Sequence, residues 1–275
     1  MESILVINDN SSEARHAAEF ALFIAQKMHA NIVMANVYKR HHKIHEKVVD
    51  GSFDDADATD ADVPEWVSFL KNLGGEFKPH ITMFDHDGKD ESKLADYINK
   101  HGIWMMVKGS AGQMTTRAAQ RNFKAHIVLN KVQCPLLLVP KNWAIKSIEN
   151  IAYITDLRYS RTQIAEYLSA LVKPWQGSFS IAHLTAKGLP QINENCAIEL
   201  FDSCTRQNDN CSPISFNYIT ETDFKVAADV MVNGLKNDIL ALVNHHYYIE
   251  DLLCPGIKDT DQTTVDNTPL LIFPI

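Results

Sequence analysis

The stretch most suited to chemistry is "KGSAGQMTTRAAQRNFK", residues 108 to 124, which opens like a phosphate cradle with Gly109 and Gly112 just after the apolar run "IWMMV". Glycines let backbone N–H groups close on phosphate oxygens, and a helix N-terminus adds a favourable dipole. Further along, Asn122 and Phe123 stand where such a cradle would finish on small residues. G-x-x-G after a strand also marks ordinary turns, so a cradle and a tight turn both remain open. Ser110 is no hydrolase nucleophile by motif, because "KGSAG" departs from G-x-S-x-G.

Two aspartates, Asp9 and Asp156, close the apolar runs "SILVIND" and "IAYITD". An aspartate there either contacts a ligand or caps the helix that follows. Both readings stand for Asp9, and capping is preferred for Asp156. In "HHKIH", His41 and His45 fall four apart, a metal-compatible spacing on a helix, but no cysteine or carboxylate is fixed beside them. Solvated loop histidines, and no metal site, are the expectation. His245 and His246 follow the late apolar run "DILALV" and are candidates for a small-ligand or anion contact, against a structural role. The acidic run "DGSFDDADATDAD" fails as a calcium loop: aligning Asp55 and Asp57 puts Asp60 where glycine is required and Trp66 at the bidentate acid.

These residues need elements to hold them. "SILVIND" reads as a strand, and the segment after it has helical periodicity, with Ala17, Phe20, Ala21, Ile24, Ala25 and Met28 on one face. Asn10 with Glu13 fits a capping box. "NIVMANVY" is a second strand, "VPEWVSFLKNLG" a helix, "KPHITMFD" a third strand and "ESKLADYINKHG" a helix ended by Gly102. "IWMMVKG" is a fourth strand, "RAAQRNFKAHIVLNK" a helix, and "CPLLLVP" a fifth strand. Five strands alternating with helices predict a flavodoxin-like, doubly wound α/β unit with a parallel sheet.

The layout then repeats. "SIENIAYITDLRYS" follows "ESILVINDNSS", "YSRTQIAEYLSALVKPW" follows the first helix, and "SFSIAHLT" follows "NIVMANVY". "NDILALVNHH" matches the fourth strand and "TPLLIFPI" the fifth. A repeat at this scale predicts two tandem domains, 1–143 and 144–275. "PLLLVP" and "PLLIFP" are short apolar strands bracketed by prolines, whose edges invite pairing with each other.

Bulk properties narrow the function classes. A net charge of −8 argues against a non-specific nucleic-acid binder. No stretch approaches the roughly 20 apolar residues that span a bilayer, and "MESILVIND" lacks the basic region of a signal peptide. The five cysteines show no C-x-x-C pair and read as reduced thiols of a cytoplasmic protein.

In "ILVINDNSSEARHAAEFALFIAQKMHANIVMANVY", in "GSAG" after the fourth strand and in "CPLLLVP", the chain resembles the universal stress protein family. "YITDLRYS", "DILALVNHH" and "PLLIFP" resemble it in the second half. The resemblance implies tandem domains of the adenine nucleotide alpha hydrolase-like fold, joined through their last strands as an intrachain pseudo-dimer, with a further homodimer open. ATP-binding members carry G-x-x-G, about nine further residues, then Gly with Ser or Thr. Gly109 and Gly112 match the first part, while Asn122 and Phe123 replace the second. By the same resemblance Asp9 corresponds to the nucleotide-site aspartate and Val37 to the segment beside the adenine. In the second half Asn244-His245-His246-Tyr247 stands in the place of the glycine loop, and Asp156 alone matches. The expectation is a non-enzymatic stress-response binding or regulatory protein without a cofactor, acting through a protein partner or small ligand. The alternative is ATP or AMP in the first domain, using Asp9, Val37, Gly109, Ser110 and Gly112, with slow hydrolysis.

Overall fold

The computed structural model describes residues 1–37, 77–86, 90–110, 125–155, 162–184, 214–219, 224–244 and 267–275. The strands are β1 (Ser3–Asn8), β2 (Asn31–Asn36), β3 (Ile81–Asp85), β4 (Met105–Ser110) and β5 (Leu136–Pro140), then β6 (Asn150–Thr155), β7 (Ser178–Leu184), β8 (Ile214–Ile219), β9 (Ile239–Val243) and β10 (Leu270–Phe273). The helices are α1 (Ser12–Met28), α2 (Glu91–Lys100), α3 (Ala125–Leu129), α4 (Thr162–Val172) and α5 (Phe224–Asp229). The expected helix at 63–74, the acidic run and "HHKIH" lie outside the described residues.

The ten strands of the described residues form one sheet in the order β3-β2-β1-β4-β5-β10-β9-β6-β7-β8. Each half therefore carries the same parallel arrangement, with the reversal of winding between β1 and β4 in the first half and between β6 and β9 in the second. The registers repeat as well: Ile4 stands opposite Met105, and Ile151 opposite Ile239. The halves meet where β5 and β10 pair antiparallel, with Leu137 opposite Leu271, Leu136 opposite Ile272 and Leu138 opposite Leu270. That pairing is self-complementary about Leu137 and Leu271, the pattern of an isologous interface. Two strands that would be edges in isolation thus become central, and among the described residues the sheet ends at β3 and β8.

Strands covered on both faces read as continuous apolar runs rather than alternations. In β1, Ile4 and Val6 face one layer while Leu5 and Ile7 face the other, as the two-residue period requires. The first layer holds α1 and α4, packed on Met34, Val107, Leu137, Tyr153, Ile181 and Leu271. The second holds α2, α3 and α5, packed on Met106, Leu136, Leu138, Ile154 and Leu240. α1 lies close to the sheet because its buried face is mostly alanine, at Ala14, Ala17, Ala18, Ala21 and Ala25, with Phe20, Leu22 and Ile24 filling the remainder. Burying Phe20 and Ile24 stabilises the fold by about 1.5–3 kcal/mol each.

Aromatic contacts join the halves across the α1/α4 layer. Phe23 stacks on Trp175 at 5.9 Å and Trp104 on Tyr167 at 4.6 Å. The Tyr167 hydroxyl donates to the Trp104 carbonyl at 3.2 Å, and burial pushes its ionisation well above the usual tyrosine range. At the opposite end of the sheet, Asp238 accepts from the Glu149 and Asn150 N–H groups at 2.9 and 3.0 Å and pairs with Lys146. That carboxylate fixes where β6 begins.

Candidate functional site

In a doubly wound sheet ligands bind outside the carboxyl ends of the strands, where the winding reverses. In the first half this is the corner made by the ends of β1, β2 and β4 and the start of α1.

β1 ends at Asn8, and the chain turns through Asn10, whose φ of 62° lies in the left-handed region that asparagine tolerates. Ser11, not Asn10, is the helix cap: its hydroxyl accepts from the Ala14 N–H at 3.0 Å. The expected capping box is absent, because Glu13 turns instead to the Ser12 hydroxyl at 3.0 Å and to Lys141 at 3.3 Å. Burial pushes the Glu13 carboxyl up, but its own N–H, the Ser12 hydroxyl and Lys141 together hold it below its ordinary value. Asp9 accepts from the Ser11 N–H at 3.1 Å and, through the same oxygen, from the Ser11 hydroxyl. It is the outer member of a two-residue cap at the start of α1.

Behind this turn runs a ladder of amides. Asn8 Nδ2 donates to Asn36 Oδ1 at 2.7 Å, Asn36 Nδ2 donates to Asp85 Oδ1 at 2.7 Å, and the Asn10 N–H donates to Asn8 Oδ1 at 2.9 Å. The three strands place these residues in register, Asn8 opposite Asn36 and Asn36 opposite Asp85. Asn8 and Asn36 are fully buried, and buried amides hold their place only when hydrogen-bonded. Sequence reasoning missed the ladder, although an asparagine closing both "ILVIN" and "IVMAN" was a visible polar intrusion. Val37, expected beside an adenine, is 2% exposed and packs in the core of the α2 layer, with its N–H on the Asn8 carbonyl at 2.9 Å. Its side chain offers almost no surface to a ligand.

β4 brings Lys108, Gly109 and Ser110 to the corner. A Cβ on Gly109 would sit 2.2 Å from the Glu13 carbonyl oxygen, 2.3 Å from its carbon and 2.8 Å from the Ala14 nitrogen. The glycine is required by the approach of α1 to β4, a reason independent of any phosphate. Ser110 ends the strand, and its carbonyl accepts from the Lys141 N–H at 2.9 Å. Lys108, also missed, is partly buried, and its ammonium donates to the Gly109 carbonyl at 3.1 Å. Burial lowers its pKa, and the charges of Asp9 and Glu13 offset this only in part. The corner thus brings Asp9, Gly109 and Ser110 together, while Gly112, Asn122 and Phe123 lie outside the described residues.

The second half repeats the strands but not this corner. Counting along the matched registers, Leu242 stands where Lys108 does and Val243 where Gly109 does. Asn244 is buried: its N–H donates to the Phe273 carbonyl at 2.7 Å and its side chain to Asn130 Oδ1 of the first half at 3.1 Å. Thr155 and His183 occupy the ladder positions of Asn8 and Asn36 and are likewise buried. Asp156, His245 and His246 lie outside the described residues. Among the described residues no three of His, Cys, Asp and Glu gather in an arrangement that could hold a metal ion. No described helix is long and apolar enough to cross a membrane.

Residues 1–140, slightly more than half of the sequence, match the family model described as the universal stress protein family. The chain belongs to the universal stress protein family. Among solved structures it is similar to a universal stress protein from Archaeoglobus fulgidus, with a TM-score of 0.56 at 10% identity, covering 98% of this chain and 97% of that one. A putative universal stress protein from Pseudomonas aeruginosa aligns with a TM-score of 0.47 at 10% identity, over 99% of this chain and 93% of that one. No reviewed protein matches the sequence. At such identity the first likeness concerns the fold, and it extends over both halves of the sheet.

Proposed function

We propose that this universal stress protein is a non-enzymatic, cytoplasmic binding and regulatory module whose first-half crevice no longer grips a triphosphate. It works as two tandem domains, 1–143 and 144–275, through a small ligand or a protein partner. The observation that carries this reading is the corner of β4 and α1. The free side of Gly109 faces the Glu13 carbonyl, and Asp9 is closed on Ser11. Packing of α1 on β4 thereby accounts for the glycine, and capping for the aspartate, without a phosphate. Asn122 and Phe123, in place of Gly followed by Ser or Thr, agree with it. In the second half Val243 stands at the place of Gly109 and the buried Asn244 at that of Ser110. The sequence offers no nucleophile–base pair at recognisable spacing, which is the ground for "non-enzymatic".

Calorimetric titration of the full chain with ATP, ADP and AMP tests the reading. The expected outcome is no micromolar ATP binding, and ATP turnover no greater than in Asp9→Ala. Micromolar ATP binding that disappears in Gly112→Val would overturn it. The second reading, AMP in the first half, is favoured by Lys108, a cation in the same corner. It predicts AMP binding that gains nothing from further phosphates.

A further inference from the structure

We propose that a cleft between the end of β3 and the flank of α2 binds a planar aromatic carboxylate. The site is separate from the corner of β1 and β4, because β3 stands at the end of the strand order with β2 and β1 between it and β4. It holds whether or not that corner takes a nucleotide.

The cleft is built from one strand and one helix face. Leu94, Ala95 and Ile98 turn α2 onto the sheet, which leaves Lys93, Tyr97, Lys100 and His101 along its flank at helical three-and-four spacing. On β3, Phe84 and His86 lie two apart and so project to the same side. Strand pairing carries on through His86, whose N–H donates to the Asn36 carbonyl at 2.8 Å. These side chains line a cleft of about 490 Å3, a volume within the usual range of small-molecule sites.

Its chemistry is aromatic first. Phe84 lies 4.0 Å from Tyr97, and Tyr97 4.0 Å from His101, each pair within 25° of parallel. His86 is 6.3 Å from Phe84 at 14°. His101 Nδ1 is 2.9 Å from the Tyr97 carbonyl, which can only accept, so that nitrogen carries the proton and the bond holds the ring in place. The column of rings therefore exists before any ligand arrives, and a flat π-system joins it by the same offset stacking.

The polar groups select the charge. His86 is 6% exposed, yet its imidazole makes no hydrogen bond among the described residues. A buried imidazole is stable only with a partner, and a ligand oxygen in the cleft supplies one. Asp85 is already engaged, accepting from Asn36 Nδ2 at 2.7 Å. That leaves Lys93 and Lys100 against one carboxylate, Asp96, a balance that favours an anion and offers it charge-assisted bonds. The second half has no such column. With the buried Ala227, Ala228 and Met231 of its last helical segment set on Leu94, Ala95 and Ile98, Val226 and Val230 fall at the places of Lys93 and Tyr97.

The test follows the ring C–H resonances of His86 and His101 in the full chain, assigned by their loss in His86→Gln and His101→Gln. 2-Naphthoate is expected to shift both saturably with a Kd below about 1 mM, and 2-naphthylmethylammonium to bind about tenfold more weakly or worse. Tyr97→Ala should weaken 2-naphthoate about tenfold or more, and Tyr97→Phe, which keeps the ring, should stay within about threefold. Replacing the two exposed lysines together, Lys93→Met with Lys100→Met, should weaken it about fivefold or more at an unchanged Tm. Both resonances unmoved by 2-naphthoate would overturn the proposal, and so would the ammonium binding as tightly as the carboxylate. An affinity unchanged in the lysine pair overturns it as well, even where Tyr97→Ala proves too unstable to titrate.

Discussion

Gly109→Ala separates a glycine kept for packing from one kept for phosphate. The new Cβ would lie 2.2 Å from the Glu13 carbonyl oxygen and 2.3 Å from its carbon, both backbone atoms that cannot rotate aside. Restoring ordinary contact means moving the first turn of α1 off β4 by roughly 1 Å, a gap that forfeits a large part of each dispersion contact it opens. The movement would be felt along the buried alanine face at Ala14, Ala17, Ala18 and Ala21, where no longer side chain can fill the space. It would also pull on the Glu13–Lys141 pair. Overpacking with a forced backbone shift of this kind costs about 2–4 kcal/mol. Urea unfolding of the ligand-free chain, followed by tryptophan fluorescence and far-ultraviolet circular dichroism, should show the midpoint falling by about 1 M or more. Gly234→Ala is the control, because its Cβ meets only Val230 Cγ1 at 3.8 Å, and it should stay within about 0.5 kcal/mol of the parent. A loss below about 1 kcal/mol in Gly109→Ala, or one no larger than in Gly234→Ala, would refute the packing argument.

Other perturbations follow from the same geometry. Asp238→Ala leaves the Glu149 and Asn150 N–H groups without their acceptor and should cost about 2–4 kcal/mol, whereas Lys146→Met, which removes a half-exposed partner, should cost under about 1 kcal/mol by thermal unfolding. Cys134 is buried with its thiol pushed up to about 12, so a thiol reagent at neutral pH should label it only on unfolding, as peptide mass spectrometry would report. Lys108→Met replaces a desolvated ammonium and should leave stability unchanged or raised. Because the folded state lowers this pKa, the unfolded chain binds the proton more tightly, so any gain should be full at neutral pH and fade as pH rises into the ordinary lysine range; urea midpoints across pH check the sign.

The layers and most strands were legible because apolar runs such as "ILVI" and "LLLV" admit few alternatives, and the alanine face of α1 gives a clear helical period. The pairing of β5 with β10 was also legible, as two proline-bracketed apolar edges in one chain. β8 and α5 were passed over, although "ISFNYI" alternates apolar and polar residues as a strand does. The finer geometry of the site was not readable. Asn10 followed by Glu13 satisfies the pattern of a capping box, but the left-handed turn at Asn10 moves the cap one residue along, to Ser11. The burial of the Val37 side chain in the α2 layer was not readable either. Gly109 looks like a phosphate glycine in sequence because a backbone approaching a helix and one approaching a phosphate require the same residue.

The two halves diverge where they do not need each other. Their sheets share strand order and register, and the seam at Leu137 and Leu271 treats them as equivalent. A substitution in those interior strands disturbs packing on both faces, so the strands tolerate little beyond apolar exchange. The carboxyl ends have no such constraint. There the first half sets Lys108 and Gly109 against α1 with an asparagine ladder behind them, and the second sets Leu242 and Val243, with Thr155 and His183 behind. A valine at the place of Gly109 would carry its side chain into the space that the Glu13 carbonyl fills in the first half. The second half cannot then repeat the close corner of β4 and α1 at that spacing.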